Sequence, residues 1–277
     1  GTLQAVGTGD DPIVFASTSG ETQTEGSWNG IDIRDTTTEL DSDGNWIQGS
    51  RIEHVVVSGA TNGILTTDSH LTVDHSRFEN NTRGVRSSGP IGNRLLYVRN
   101  SEFSANAAGV VVNQPTEVLD SVFLGNDNGI VVSTNSVTAR GNLFTGNTRG
   151  VWFTEGDGGT RLIEENRLDG NTYGIQIETG NNSATIIRRN IITRSEQFWL
   201  RVPRPVFQNH DLRVEDNIAA DNGLGLISEA GVGGSQRGLL SGNALIRNGS
   251  GVLFDNRGSG KTYTWTATGN LFSDTGG

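Results

Sequence analysis

The chain has 277 residues and a formal net charge of −10, with 39 glycines, no cysteine and no methionine. This charge disfavours nucleic acid and anionic lipid as partners, because binding to phosphate groups needs clustered Lys and Arg. The missing cysteines exclude disulfides, thiolate nucleophiles and zinc sites built on cysteine. Hydrophobic residues make up 33% of the chain, and no apolar run approaches the ~18 residues that a membrane-spanning helix needs.

Residues 41–45 are the first segment with a recognisable ligand pattern. Asp41, Asp43 and Asn45 place three oxygen-bearing side chains at alternate positions, as in loops that bind Ca²⁺. Position 6 of such a loop would be Trp46 rather than glycine, and no glutamate falls at position 12. The Asp-Gly pair also favours an ordinary hairpin turn. A Ca²⁺ loop and a hairpin turn therefore remain open, and apart from Ca²⁺ here and the two histidines considered below, the sequence indicates no cofactor.

A repeated motif begins near residue 63 and continues almost to the C-terminus. It reads Ser/Asn-x-apolar-x-x-Asn-x-x-Gly-Val/Ile/Leu, and its first six glycines are separated by 21, 25, 20, 21 and 24 residues. These glycines are Gly63, Gly84, Gly109, Gly129, Gly150 and Gly174. This period, with short β-branched runs between Asn/Gly turns, is typical of a solenoid. The sequence predicts an all-β fold, a right-handed single-stranded parallel β-helix of about ten coils.

Residues one period apart should lie above one another in rows. The row six residues before each glycine is apolar and includes Phe78, Phe103 and Phe123, and further apolar rows lie eleven residues before and one residue after the glycine. These rows predict the core. An asparagine row three residues before the glycine predicts amides that bond from coil to coil, on a backbone that can be left-handed. The glycines themselves indicate positive φ or close approach at a corner. In the coil without this glycine, we expect Phe198 in its place and Trp199 in the next row.

Two histidines share a row at the start of this register. Glu53-His54 and Asp74-His75 fall in the same two rows of consecutive coils, so the imidazoles would lie about 5 Å apart beside two carboxylates. Imidazole and carboxylate ligands suit Zn²⁺ or Cu²⁺. His54 and His75 are therefore candidate metal ligands.

One outer face of the predicted coils combines aromatic and polar side chains. Its members are Arg149, Trp152, Tyr173, Gln176 and Glu178. The aromatic rings can stack on sugar rings while the other side chains bond to hydroxyl groups, which predicts carbohydrate binding. The alternative is that an adjoining domain, a loop or a sister subunit covers this strip.

Residues 198–211 break the repeat. The segment is basic in an acidic chain, and it contains Arg201, Arg204, His210 and several aromatic residues. In the expected register, Arg201 takes a position where other coils have Val, Phe or Ile. Local departures from a repeat tend to mark function or strain. The segment is either a binding loop that adds Arg201 and Arg204 to the carbohydrate site, or a longer turn packed on the solenoid.

With these motifs, the chain resembles the right-handed parallel β-helix repeat family. That group includes pectin-lyase-like enzymes, carbohydrate-binding β-helices, accessory proteins of copper-enzyme maturation and adhesin-like surface proteins. Residues 1–8, 12–15 and 26–31 look like the opening coils of its large secreted or cell-surface members. The resemblance implies the fold over nearly the whole chain but no particular activity, because the matching motifs belong to the scaffold.

We expect residues 1–277 to form a single β-helix domain, a piece of a larger secreted or cell-surface protein. The favoured function is a structural or adhesive module that presents a contact surface to carbohydrate or protein, and no residue is assigned as catalytic. Two alternatives remain: a polysaccharide lyase, glycoside hydrolase or carbohydrate-binding module, and a copper or zinc accessory protein. Because a solenoid ends in open strand edges, we expect neighbouring domains or like subunits there.

Overall fold

In a computed structural model, the chain winds into a parallel β-helix. The structure describes residues 1–17, 25–34, 38–89, 94–133, 136–154, 159–178, 183–202, 210–229, 236–255 and 263–274. These residues include no helical segment with the length and apolarity that a membrane crossing requires.

Each full coil contributes one short strand to each of three sheets. The first sheet contains β1 (Gln4–Val6), β6 (Arg51–Glu53), β9 (Leu71–Asp74), β12 (Leu96–Arg99), β15 (Thr116–Leu119), β18 (Val137–Arg140), β21 (Thr160–Glu164), β24 (Ala184–Arg188), β27 (His210–Glu215), β30 (Gln236–Ser241) and β33 (Tyr263–Thr268). The second contains β2 (Ile13–Phe15), β7 (Val55–Ser58), β10 (Arg77–Glu79), β13 (Glu102–Ser104), β16 (Val122–Leu124), β19 (Leu143–Thr145), β22 (Arg167–Asp169), β25 (Ile191–Thr193), β28 (Ile218–Ala220), β31 (Ala244–Ile246) and β34 (Leu271–Ser273). The third contains β3 (Trp28–Ile33), β8 (Ala60–Thr67), β11 (Arg83–Ser88), β14 (Ala108–Val112), β17 (Asn128–Val132), β20 (Arg149–Phe153), β23 (Tyr173–Ile177), β26 (Phe198–Val202), β29 (Leu224–Glu229) and β32 (Val252–Asp255).

The predicted fold class is confirmed. Over the described ranges, two sheets have eleven strands and the third has ten, so the expected number of about ten coils is slightly off. One antiparallel hairpin, β4 (Glu39–Leu40) and β5 (Trp46–Gln48), lies beside the three sheets.

The core consists of the predicted apolar rows. Phe78, Phe103, Phe123 and Phe144 are fully buried, and successive rings stack with centroids 4.7–5.0 Å apart. This distance equals the separation of neighbouring strands, because each ring sits directly above the ring of the previous coil. The row that begins with Ile52 and Val73 is likewise paired and buried. The register deduced from the glycines is therefore confirmed for these coils.

Glycine is required at the motif positions because neighbouring coils approach its Cα closely, and not because its φ is positive. A Cβ atom on Gly109 would lie 2.7 Å from both the Gly129 carbonyl oxygen and the Phe123 ring. The left-handed residues are elsewhere, for example Asn80 with φ of 55° and Gly125 with φ of 61°. The left-handed backbone expected at the asparagine row thus lies one residue earlier, which leaves the asparagines to act through their amides.

Two asparagine ladders run along the solenoid where one was predicted. In the predicted ladder, Asn106 Nδ2 donates to Asn126 Oδ1 at 3.0 Å, and Asn126 Nδ2 donates to Asn147 Oδ1 at 2.9 Å. The second ladder uses the first position of the motif and consists of Asn142, Asn166, Asn190, Asn217, Asn243 and Asn270. Both ladders provide hydrogen-bond partners for buried amide groups at the corners of the solenoid, which would otherwise have none.

The coil that breaks the repeat is shifted by one residue from its expected register. Leu200, not Trp199, pairs with Ile175, and the Gly174 Cα faces the Trp199 carbonyl as other motif glycines face each other. The prediction that Phe198 replaces the glycine is therefore wrong, because Trp199 does. Its indole is fully buried. The space exists because Ala219 takes the column position that holds a large side chain in the earlier coils.

Candidate functional site

The two predicted histidines meet at the corner between the first and second sheets. His54 follows β6 and His75 follows β9, and their rings stack with centroids 5.0 Å apart. Both residues have a left-handed backbone, with φ of 49° and 45°. Ligand atoms of Glu53, His54 and His75 all lie within 4.8 Å of one another, a separation that one metal ion could bridge.

The two neighbouring carboxylates differ in their surroundings. Glu53 Oε1 lies 3.9 Å from His54 Nε2, and its second oxygen lies against the Arg51 guanidinium. Asp74 accepts hydrogen bonds from Arg99 Nε at 2.9 Å and from Asn100 Nδ2 at 3.0 Å. It also lies 2.8 Å from His75 Nδ1. Asp74 therefore orients His75, whereas Glu53 faces the pair of rings.

The predicted Ca²⁺ segment forms the turn between β4 and β5. Asp41 Oδ1 accepts the backbone N–H groups of Asp43 at 2.9 Å and Asn45 at 2.8 Å, and Asp41 Oδ2 accepts the Asn45 side-chain amide at 2.9 Å. These bonds lower the pKa of Asp41, the Asn45 side-chain amide contributing most. The geometry is that of a hairpin turn held by an aspartate, and Ca²⁺ binding here stays a prediction.

The residues predicted to bind carbohydrate come together on the outer face of the third sheet. The Arg149 guanidinium lies over the Trp152 ring, 4.5 Å from its centroid, and 5.7 Å from that of Tyr173 in the next coil. Arg149 Nε also donates to Gln176 Oε1 at 3.3 Å, and Gln176 Nε2 donates to Glu178 Oε1 at 2.6 Å. All five predicted side chains thus belong to one contact network across β20, β23 and the residue that follows it.

The corrected register also places Arg201 on this face. It pairs with Gln176, which pairs with Trp152, so the three form one outward row. The one-residue shift moves Arg201 from its expected row to the neighbouring one, in which it is followed by Ile227 and Leu253. Arg201 therefore still stands where several other coils have an apolar residue. Arg204 lies outside the described residues.

Two further residues contribute to this face and were not among the predicted site residues. Phe198 stacks beside Tyr173 with centroids 6.3 Å apart, and the Arg201 guanidinium lies 5.6 Å from the Phe198 centroid. Arg86 occupies the same outward row as Trp152, three coils earlier. Phe198 was expected in the position of the motif glycine, and its place on this face follows only from the observed register. We call the set Arg86, Arg149, Trp152, Tyr173, Gln176, Glu178, Phe198 and Arg201 the third-sheet face.

His210, the other titratable group singled out near the irregular segment, is not a surface ligand. It begins β27, is buried, and its ring nitrogen Nε2 lies 3.0 Å from the Thr185 hydroxyl. Burial, with a smaller contribution from the Arg161 charge, lowers the pKa of His210 to about 3. The ring is therefore neutral at ordinary pH and part of the solenoid interior.

Comparisons with known proteins agree with this architecture. A family model described as right-handed beta helix region matches residues 21–163, and one described as periplasmic copper-binding protein (NosD) matches residues 98–277. No curated protein matches the sequence significantly.

Among solved structures, a GH136 lacto-N-biosidase from Eubacterium ramulus matches in its native and selenomethionine forms. The TM-scores are 0.59 and 0.60 at 11% identity, over 98% of this chain and 59% of that chain. The surface protein and adhesin PfbA of Streptococcus pneumoniae matches with a TM-score of 0.40 at 12% identity, over 99% of this chain and 82% of that chain. The chain therefore spans less than two thirds of the lacto-N-biosidase length, and at this identity the likeness shows the fold alone. From the two family models, the chain belongs to the right-handed β-helix proteins and, over residues 98–277, to the NosD family.

Proposed function

We propose that this protein is a binding module of the cell surface or extracytoplasmic space whose third-sheet face holds an acidic polysaccharide. The location is supported by the NosD family description, which names a periplasmic protein. The ligand class is argued from the chemistry of the face itself.

The observation that carries the proposal is the alternation of arginine and aromatic rings across three coils. Arg149 lies against Trp152 and Tyr173, and Arg201 lies against Phe198. Stacking on a ring fixes a guanidinium and leaves its edge for hydrogen bonds. Arg149 already donates to Gln176 and to Asn128, and its remaining N–H groups are those that can bind a carboxylate. Coils repeat every ~4.8 Å, so an extended chain of acidic sugars can meet one coil after another.

Charge and unused donors support the same ligand. The chain carries a net charge of −10, yet the eight residues that define this face include three arginines, Arg86, Arg149 and Arg201, and one acid, Glu178. Within the described residues, the Nε atoms of Arg86 and Arg201 and the Trp152 Nε1 have no hydrogen-bond partner. Buried donors without partners are costly, and the oxygen atoms of a saccharide bound against this face are acceptors of the kind that these donors need.

The test measures binding of polygalacturonate and alginate oligosaccharides by calorimetry, with dextran as the neutral comparison. We expect the acidic ligands to bind and dextran to bind weakly or not at all. Arg149→Ala should lower affinity roughly 10- to 100-fold, since hydrogen bonds to charged groups contribute about 1.5–3 kcal/mol. Trp152→Ala and Tyr173→Ala should lower it by about 2- to 5-fold through loss of the cation–π support.

Trp46→Ala supplies the matched control. Trp46 also has an arginine over its ring, Arg51 at 5.4 Å, but it belongs to the β4–β5 hairpin. Its loss should leave affinity unchanged. Absence of acidic-ligand binding, or equal affinity in all variants with the fold retained, would refute the proposal. Unsaturated products or new reducing ends during incubation would instead identify a polysaccharide-active enzyme.

A covering subunit is the remaining alternative for this face. Light scattering on wild type and Arg149→Ala decides it. A dimer that dissociates in the variant, together with no polysaccharide binding, would make the face a subunit interface and overturn the proposal.

A further inference from the structure

Copper does not fit the residues that the NosD family model covers. The chain has no cysteine and no methionine, and of its four histidines only His210 lies within residues 98–277. His210 is buried and lies against the Thr185 hydroxyl. Copper in proteins is held mainly by imidazole, thiolate and thioether groups. A copper site in this chain must therefore lie elsewhere.

We propose that Glu53, His54 and His75 form a site for Cu²⁺ in the coils that precede the NosD-matched segment. Their ligand atoms lie within 4.8 Å of one another. The side chains of His54 and His75 are 27% and 49% exposed, so an ion can enter from solvent and keep water in its remaining positions. Two imidazoles and one carboxylate are a donor set for which Cu²⁺ outranks Zn²⁺ and the other common divalent ions.

The backbone explains why the two rings face the same space. His54 and His75 occupy the left-handed corner that precedes each strand of the second sheet, where the following coils have Asn100, Asp120 and Gly141. Few residues other than glycine adopt this conformation, and histidine, with asparagine and aspartate, is among those that do so most often. Because the corner repeats at the strand separation, two histidines there must stack, and the observed centroid distance is 5.0 Å.

A carboxylate behind the pair prepares His75 as a ligand. Asp74 Oδ1 lies 2.8 Å from His75 Nδ1, which places the proton on Nδ1 and leaves the Nε2 lone pair for a metal. Such carboxylate–histidine pairs commonly support metal ligands from the outer shell. Arg99 and Asn100 in turn hold Asp74 by hydrogen bonds, so its position is fixed before an ion arrives. Asp74 is thus a positioning residue for this site.

The test uses tag-free protein of the full chain, titrated with Cu²⁺ alone by calorimetry and by electron paramagnetic resonance. We expect one tightly bound Cu²⁺ per chain with two nitrogen ligands, and weaker binding of Zn²⁺. His54→Asn and His75→Asn should each lower affinity beyond the roughly 10- to 100-fold that loss of an outer-shell partner costs, and Asp74→Asn should fall within that range. Asparagine is chosen because Asn100 holds the same left-handed corner, with φ of 49°.

His70→Asn is the control, because His70 is a partly buried histidine whose Nδ1 accepts the Leu95 backbone N–H at 3.1 Å. It should bind Cu²⁺ like the wild type. If the N-terminal amine holds the ion, every variant will bind Cu²⁺ as the wild type does, and the proposal is overturned. Failure of the wild type to bind one Cu²⁺ per chain would also overturn it. Polysaccharide affinity should be unchanged in the histidine variants, so this inference and the proposed function fail independently.

Discussion

Replacing one rung of the predicted asparagine ladder tests the physical basis of the solenoid directly. Asn126 is 2% exposed, and its amide takes part in four hydrogen bonds. Its Oδ1 accepts the backbone N–H of Asn106 at 2.9 Å and the Asn106 side-chain amide at 3.0 Å. Its Nδ2 donates to the Phe103 carbonyl and to Asn147 Oδ1, both at 2.9 Å. Asn126→Ala removes all four bonds and adds no strain, because alanine is smaller.

The expected cost follows from these partners. A typical internal hydrogen bond contributes about 0.5–1.5 kcal/mol net, so four bonds give roughly 2–6 kcal/mol. The Asn106 side-chain amide retains bonds to the Phe78 and Ser104 carbonyls, which favours the lower part of this range. The Asn106 backbone N–H is the group left without a partner. We therefore expect a loss of about 2–4 kcal/mol.

Urea unfolding followed by circular dichroism measures this loss. Asp127→Ala is the matched control, because Asp127 is the next residue and its side chain is exposed, so its change should stay within about 0.5 kcal/mol. An Asn126→Ala protein as stable as the control would mean that the amide ladder contributes nothing net. The regular recurrence of asparagine along the chain would then need a cause other than hydrogen bonding.

Three further experiments test the packing of the core and the titration of a buried histidine. Phe123→Ala should cost about 3–5 kcal/mol in urea unfolding, because it opens a cavity between two stacked rings, and exposed Leu124 gives a near-neutral alanine control. Trp199→Gly should also destabilise the protein by several kcal/mol, and adding Ala219→Ile should recover part of the loss, with a coupling of about 0.5–3 kcal/mol. Purely additive effects would contradict the view that Trp199 fills the volume left by the small side chain of Ala219. Burial lowers the pKa of His210 from 6.5 to about 3, so the unfolded chain gains a proton first as the pH falls. Wild-type stability should drop by roughly 2 kcal/mol between pH 6.5 and 5 relative to His210→Gln.

The repeat was readable from sequence because each buried row admits few residue types. A solenoid interior needs an apolar side chain at the same place in every coil, and close approach of the backbone needs glycine at one place. Phe78, Phe103 and Phe123 therefore align by spacing alone. The stacking of His54 on His75 could be predicted in the same way, because the two residues are one repeat apart and occupy the same corner of consecutive coils.

The register of the irregular coil could not be predicted from the sequence, because two of its neighbouring positions changed size together. Trp199 replaces a glycine only because Ala219 replaces the larger residue of the next coil, and the two lie 20 residues apart. When each row is compared separately, such a paired change cannot be seen. Phe198 was therefore aligned with the motif glycines, and Arg201 was placed one row away from its true position. Side-chain partners were equally hidden: nothing in the spacing distinguishes Asp74, held by Arg99 and Asn100, from Glu53, which faces the imidazoles.

The architecture also explains how two candidate sites can exist on one scaffold without weakening it. The corner that carries His54 and His75 is occupied equally well by Asn100 or Gly141 in later coils, and the row of Trp152 contains Val131 in the coil before it. Neighbouring coils thus supply, for each site residue, a replacement that the same backbone already accepts. Since folding constrains these outward positions so little, the stacked imidazoles and the run of arginines against aromatic rings can each be substituted, and the two binding proposals tested, without loss of the solenoid.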